Sequence, residues 1–413
     1  MVNVGDFEII SETDVEDAVG DALDESESAP IIRMVNLVIK DAIRQRASDI
    51  HLEPLVDCLR VRYRIDGILK EILNIPRNNQ NAVLTRIKIM SRLDITVTQL
   101  PQDGRFKLKF SGKEIDFRVS LLPTIFGQKV VLRVLDKNNL KAGLEGLGIS
   151  KKSYEKMNQA IEQPFGMILI TGPTGSGKST TLYSMISRLN TVDKNVITVE
   201  DPVEYLLEGL TQIQAQQEIG LTFAEGLRAI LRQSPDVVMV GEIRDNETAD
   251  IAIKASLTGQ LVFSTLHTND ASGALTRLID MGVEPFLVVS SIIMVSAQRL
   301  CRKICPQCKT KIEIKKSVLD RIDFPLKSDQ VFYYGKGCAA CEQTGYLGRM
   351  CVTEVLEVTD EIRDLILKGV SSDEIKEFAR KNNNMDTLFE DAMKKCINGE
   401  TSLEEVLRIT SEE

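Results

Sequence analysis

The chain has 413 residues, is 43% hydrophobic and carries 51 Lys and Arg against 60 Asp and Glu, a formal net charge of −9. It is too long for one ordinary core and has ample apolar content for two or three soluble globular domains. The longest apolar stretch, Pro285 to Ala297, is broken by Ser290, Ser291 and Ser296 and falls short of the roughly 20 residues of a membrane span, and the N-terminus has no signal-peptide pattern.

Residues 1 to 30 hold ten Asp or Glu and no Lys or Arg, so they read as an acidic, flexible leader, either a solvated tail or a docking peptide. The remaining chain is then +1, which gives no general reason to expect nucleic-acid binding. Residues 31 to 140 begin with apolar residues at helical spacing (Ile31, Ile32, Val35, Val38, Ile39, Ala42, Ile43) and continue as alternating strands, the pattern of a small α+β domain. In Leu59 to Ile65 the apolar residues Leu59, Val61, Tyr63 and Ile65 face one way and Arg60, Arg62 and Arg64 the other. His51, in A-S-D-I-H-L-E-P, reads as structural.

From 141 to 300 the strands become continuous apolar runs separated by helical segments, as in a parallel sheet buried on both faces. Gly172, Pro173, Thr174, Gly175, Ser176, Gly177, Lys178 and Ser179 fill G-x-x-x-x-G-K-[ST], the phosphate-binding P-loop, and Thr180 follows. Glycines there let the backbone wrap a phosphate chain with its N–H groups, Lys178 brings positive charge to the terminal phosphates, and the Ser179 hydroxyl suits Mg²⁺. The apolar run Met167 to Ile170 precedes the loop, and Leu182, Met185, Ile186 and Leu189 follow at helical spacing.

Ligands of such a sheet bind beyond the carboxyl ends of its strands. There the runs deliver Glu200, Asp201 and Glu204, then Glu242 and Arg244, then His267. Hydrolysing ATP needs a held metal, an oriented water and positive groups for the transition state. Glu242 suits the Mg²⁺ shell and Glu200 the attacking water, although sequence leaves the two roles interchangeable; Asp201 also reads as a helix cap. A neutral His267 can sense the γ phosphate or serve structurally. Arg105, Arg118, Arg228 and Arg232, the last two at i and i+4, favour phosphate contacts from another domain or subunit.

Residues 301 to 350 carry C-P-Q-C at Cys305 and Cys308 and C-A-A-C at Cys338 and Cys341, with 29 residues between the pairs. Two such knuckles read as a tetrahedral Zn²⁺ site, with a redox pair or a site that has lost its metal as the alternatives. Cys301 is a substitute ligand by position, and Cys58, Cys351 and Cys396 read as buried thiols. Residues 351 to 413 are helical, with capping boxes expected at Ser371 with Glu374 and Thr401 with Glu404.

In order, A-S-D-I-H-L-E-P, V-R-Y-R-I-D-G, P-Q-D-G-R, the P-loop, I-T-V-E-D-P-V-E, V-V-M-V-G-E-I-R-D, S-T-L-H-T-N-D and the paired C-x-x-C motifs resemble the secretion ATPase superfamily of type II secretion and type IV pilus assembly motors. The resemblance implies a PAS-like N-terminal domain, a RecA-like ATPase domain, a tetracysteine zinc insertion and a helical C-terminal region. It implies a cytoplasmic hexamer, peripheral to the inner membrane, that uses ATP, Mg²⁺ and Zn²⁺ and acts on an inner-membrane platform protein to assemble pilin or pseudopilin. By position it makes Arg105 and Arg118 nucleotide contacts from the N-terminal domain, and Arg228, Arg232, Arg244 and Arg349 further functional arginines. Longer family members add an N-terminal docking domain where this sequence shows only the acidic leader. A competence pseudopilus motor is the nearest alternative; a nucleic-acid translocase and a nucleotide-bound scaffold come from other classes.

Overall fold

The fold is given by a computed structural model, which describes residues 7–9, 25–135, 143–327 and 329–411. The chain divides into two compact units, Met1–Asn139 and Leu140–Glu413.

The first unit is one sheet with helices against its apolar face. Its strands are β1 (Phe7–Ile9), β2 (Ala47–Pro54), β3 (Cys58–Ile65), β4 (Ile68–Pro76), β5 (Gln102–Phe110), β6 (Lys113–Thr124) and β7 (Gly127–Leu135), in the order β1-β5-β6-β7-β2-β3-β4 with every pair antiparallel. The helix expected from Ile31 starts earlier, spanning Glu25–Arg44, and Phe7–Ile9 pairs with β5, so part of the segment read as a leader belongs to regular elements; its remaining residues lie outside those described. Alternation places Leu59, Val61 and Tyr63 in the core with Val35, Val38 and Ile39 of that helix and Val83 and Ile87 of the helix Gln80–Met90, while Ile65 is only partly buried. The opposite face is polar. On it Asp49 pairs with Arg64 and Arg133, and Glu53 with Arg60, Arg62 and Lys129. His51 lies between the two carboxylates on β2, and burial pushes its imidazole below its usual value.

The second unit is an open α/β sheet. It contains β8 (Gly166–Thr171), β9 (Val196–Glu200), β10 (Thr211–Gln214), β11 (Val237–Val240), β12 (Leu261–Leu266) and β13 (Ile292–Ile304); β14 (Lys309–Ile312) and β15 (Phe332–Gly335) form a separate two-stranded ribbon, and β16 (Tyr346–Glu357) closes the edge. The order is β10-β9-β11-β12-β8-β13-β16, parallel except for β16. Both faces are covered, which is why the strands read as unbroken apolar runs. Met167 and Leu169 of β8 face the helices Phe223–Leu231, Asn246–Leu257 and Ala271–Asp280. Ile168 and Ile170 face the helices Lys151–Ile161 and Lys178–Leu189. The apolar stretch from Pro285 is a short helix, Pro285–Ser291, followed directly by β13. No helix among the described residues is long and apolar enough to cross a membrane.

At the C-terminus Ser371 caps the helix Ser372–Asn382 by accepting from the Glu374 N–H. The second expected cap is one residue out: Ser402, not Thr401, caps Leu403–Thr410, because the Thr401 hydroxyl donates instead to the Arg302 carbonyl at 2.8 Å. A full capping box, not expected, joins Thr387 and Glu390.

Candidate active site

The loop Gly172–Gly177 leaves the end of β8 and opens the helix Lys178–Leu189. Gly172 has φ +141°, and a Cβ there would lie 2.5 Å from the Gln298 carbonyl oxygen; Gly177 has φ +89°, and its Cβ would lie 2.9 Å from Gln298 Nε2. Only glycine fits either position. Gly175, φ +81°, faces open space, and Thr174 and Ser179 are exposed. The buried Ser176 hydroxyl has no hydrogen-bond partner among the described residues.

Lys178 folds back on the loop, donating to the carbonyls of Gly172 (2.7 Å) and Pro173 (3.1 Å). Burial lowers its ammonium to about 8, with Glu242 opposing that shift and Arg299 adding to it. Thr171, at the root of the loop, is latched to the next strand end: its hydroxyl lies 2.7 Å from the Thr268 hydroxyl and accepts from the Thr268 N–H at 2.8 Å. Thr180 lies in the first turn, its carbonyl accepting from Ser184.

Glu242 follows β11 and sits between two groups. One carboxylate oxygen pairs with Arg244, and the other lies 3.2 Å from His267 Nε2, beyond the end of β12. The carboxylate is mostly buried, whereas Arg244 and His267 are half or more exposed. Three of the residues read from sequence therefore converge. Glu200 is a different case. It is the last residue of β9, is 4% exposed, and has both oxygens engaged: Tyr183 of the loop's helix donates to one, while Thr198 (2.6 Å) and Gln212 (3.2 Å) donate to the other. The Tyr183 hydroxyl also accepts from the Glu204 N–H at 3.2 Å, so one phenol ties the loop's helix to both ends of the Glu200–Glu204 turn. Asp201 is exposed on that turn.

Other predicted residues lie apart from this cluster. Arg228 is held between Glu225 and Glu247, and Arg232, beyond the last helical residue, donates to the Arg228 carbonyl. Arg349 is exposed on β16 opposite Arg302, toward the cysteine end of β13. Arg105 and Arg118 belong to the first unit and face each other across β5 and β6; Arg133 stands opposite Arg118 on β7. Three arginines thus stand in one cross-strand row, of which Arg133 already pairs with Asp49. Sequence reading missed Arg133, and it missed Tyr183, Gln298 and Arg299. The signal for the last two was present, a Gln-Arg pair interrupting the apolar run of β13.

Cys305, Cys308, Cys338 and Cys341 gather with all four sulfurs within 4.8 Å of one another. Sulfurs at about 2.3 Å from a tetrahedral zinc stand about 3.8 Å apart. The observed separations of 3.8, 3.8 and 3.7 Å for Cys305–Cys338, Cys308–Cys341 and Cys338–Cys341 fit that ion. The pairing of β14 with β15 brings the two knuckles together despite their long spacing. Desolvation raises the Cys341 thiol, but the N–H groups of Cys338 and Gly345, each 3.2 Å away, together with the Cys338 and Cys308 thiols, outweigh it and lower the thiol. Cys301 lies outside the cluster, where burial raises it to about 12. Cys351 and Cys396 are buried, whereas Cys58 is only half-buried near Asn74.

The protein-family profile described as Type II/IV secretion system protein matches residues 24–408. The chain is 48% identical over 392 residues to the type IV pilus assembly ATPase PilB of Myxococcus xanthus, covering 94% of this chain and 69% of that protein. It is 48% identical over 393 residues to the type II secretion system protein E of Aeromonas hydrophila, covering 95% and 78%. Among solved structures, the Legionella pneumophila ATPase DotB superposes with a TM-score of 0.67 over 92% of this chain and 96% of that one; at 21% identity this likeness concerns the fold alone.

Proposed function

The chain belongs to the Type II/IV secretion system protein family, and from that premise we propose that it is a hexameric ATP-hydrolysing motor that powers pilin or pseudopilin assembly. The observation that carries the chemistry is the convergence of Lys178, Glu242 and His267 around a glycine loop that leaves a buried hydroxyl unpaired. The second unit is the RecA-like engine, and the first is PAS-like in this reading. The ring works at the cytoplasmic face of the inner membrane on a platform protein.

ATP is the substrate of this reading. The N–H groups of the loop cradle its phosphates, and Lys178 exchanges the Gly172 and Pro173 carbonyls for phosphate oxygens. When bound, Mg²⁺ supplies neutralisation of the charge on the β and γ phosphates, and Ser179 and Glu242 would hold it directly or through water. Glu200 orients the attacking water and accepts its proton at a carboxylate oxygen, which requires that oxygen to leave its Tyr183 or Thr198 bond. His267 reads the γ phosphate while bonded to Glu242. Arg244 balances the developing negative charge, a role shared by Arg228, Arg232 and Arg349 only after rearrangement from their present partners. Asp201 and Glu204 shape the turn beside Glu200. The four cysteines hold structural Zn²⁺.

The test is Mg²⁺-dependent ATPase activity against protein concentration, with mass measured alongside, for wild type, Glu200→Gln and Glu242→Gln. Activity should rise with hexamer formation and fall by about 100-fold or more in each variant, with ADP affinity kept within about threefold. Equal specific activity in a monomer would remove the ring premise, and undiminished turnover in both variants would remove the site.

A further inference from the structure

We propose that Gln298 is a positioning residue for nucleotide binding, acting by orienting the peptide between Ser176 and Gly177; the inference rests on the nucleotide reading of the loop. Gln298 lies on β13, one residue past Ala297, which pairs with Thr171 at the root of the loop. It is fully buried. Its Nε2 donates to the Ser176 carbonyl at 2.7 Å, and its Oε1 accepts from the Thr181 hydroxyl at 2.8 Å, one turn into the following helix. One amide thus joins the loop to the helix that the loop opens.

The consequence follows from the planarity of the peptide group. In a trans peptide the carbonyl and the following N–H point in opposite directions. Fixing the Ser176 carbonyl toward Gln298 therefore turns the Gly177 N–H away from β13, to the other side of the loop where phosphate is cradled. Without that hold, a glycine-flanked peptide is free to rotate, and its carbonyl can face the phosphate with a repelling dipole. The amide's orientation is determined by its neighbours: a carbonyl oxygen at Ser176 requires the N–H₂ end of Gln298, and the Thr181 hydroxyl donates to the other. Gln298 also supplies the backbone wall behind the loop. Its carbonyl excludes a side chain at Gly172 and accepts from Arg299 Nη1 at 3.2 Å, while Arg299 Nη2 reaches the Asn269 carbonyl at 3.0 Å on the segment after His267.

The test measures the Kd of ADP with Mg²⁺ by calorimetry, and KM and kcat for ATP, on the full chain for wild type, Q298E, Q298L and T181V at pH 8 and pH 6. Melting of the nucleotide-free proteins is followed in parallel. Q298E keeps the size but sets an oxygen against an oxygen, so at pH 8 Kd and KM should rise about tenfold or more with kcat at saturation held within about threefold. Lowering the pH to 6 should recover part of that loss, because the protonated carboxyl again donates to Ser176; Q298L should lose affinity at both pH values without recovery. T181V, which removes only the helix-side contact, should weaken ADP binding by about two- to fivefold. Wild-type affinity in Q298E and Q298L overturns the inference. If both fail to melt cooperatively, unchanged affinity in T181V overturns it. A wild type that binds no ADP removes instead the nucleotide reading on which the inference stands.

Discussion

The C-terminal helix Leu403–Thr410 offers a measurable test of how the second unit is held together. Its Glu405 is fully buried, and four donors converge on its carboxylate: Arg302 Nη2 (2.6 Å), the Arg302 N–H (2.9 Å), Arg408 Nε (2.6 Å) and Arg408 Nη2 (2.8 Å). Burial alone would raise this carboxyl; the hydrogen bonds from Arg408 and Arg302 outweigh it and hold it down to about 2, against an ordinary 4.5. At about 1.4 kcal/mol for each factor of ten, that depression corresponds to roughly 3 kcal/mol, and screening at the half-exposed Arg408 reduces it to about 2–3 kcal/mol. Glu405→Gln keeps the shape and removes the charge. At pH 7 the amides of this helix should then exchange hydrogen about 30 to 150 times faster, as read by exchange mass spectrometry on peptides from 403 to 410. Because the folded carboxyl titrates below the unfolded one, the stabilisation is fully present above about pH 4.5 and is lost as pH falls to about 2. The difference between wild type and variant should shrink across that window. A change under about threefold at pH 7, or a difference that persists undiminished at pH 2, would refute the assignment of this helix's anchorage to Glu405.

Two further outcomes are expected. Purified protein should hold one Zn²⁺ per chain, and Cys305→Ser should release it and loosen the β14–β15 ribbon while ADP affinity stays within about twofold, since Cys305 lies seven residues past Gln298, roughly 23 Å at strand rise; metal analysis together with calorimetry decides this. Among the loop glycines, Gly177→Ala and Gly172→Ala should each weaken ADP binding by about 100-fold because the added Cβ meets Gln298, whereas Gly175→Ala, which meets nothing, should cost only the left-handed strain of about 1–2 kcal/mol. Equal losses at all three positions would mean that the wall behind the loop does not set the constraint.

The strands of the second unit were legible because burial on both faces leaves no polar alternation: Val237–Val240 is the same run in sequence and in structure. The P-loop was legible because its chemistry is local, eight consecutive residues with their reasons within them. What sequence did not disclose is partnership across distant segments. Thr401 looks like a cap, but a carbonyl 99 residues away takes its hydroxyl, and the helix begins one residue later. Glu200 looks like a free rim carboxylate, yet Tyr183, 17 residues earlier, occupies it. The cysteine pairs read as one zinc site, but the two-stranded ribbon that brings them together across 29 residues was not legible. Arg228 and Arg232 share a helix face by spacing, but local acids and carbonyls hold both.

The strand order bears on the two glutamates that sequence left interchangeable. Counting outward from β8, which carries the loop, the neighbours are β12 with His267, β11 with Glu242 and β9 with Glu200. At about 4.8 Å per strand, Glu200 begins one strand farther from the loop than Glu242. Consistently, Glu242 acts electrostatically on Lys178 and already shares a bond with His267. The two Glu242 oxygens are engaged by Arg244 and His267, both half or more exposed, so sharing charge with a metal would displace surface partners rather than buried ones. Glu200 reaches the loop's own helix only through Tyr183, whose hydroxyl also accepts from the Glu204 N–H. Freeing it for proton transfer therefore means moving the turn that follows β9. Under the proposed roles, with Glu242 on the metal side and Glu200 as the base, the first would be in place before nucleotide arrives and the second held back, so that hydrolysis would wait on a conformational step at the Glu200–Glu204 turn. A motor needs that separation, because chemistry completed before movement would release the energy of ATP without work.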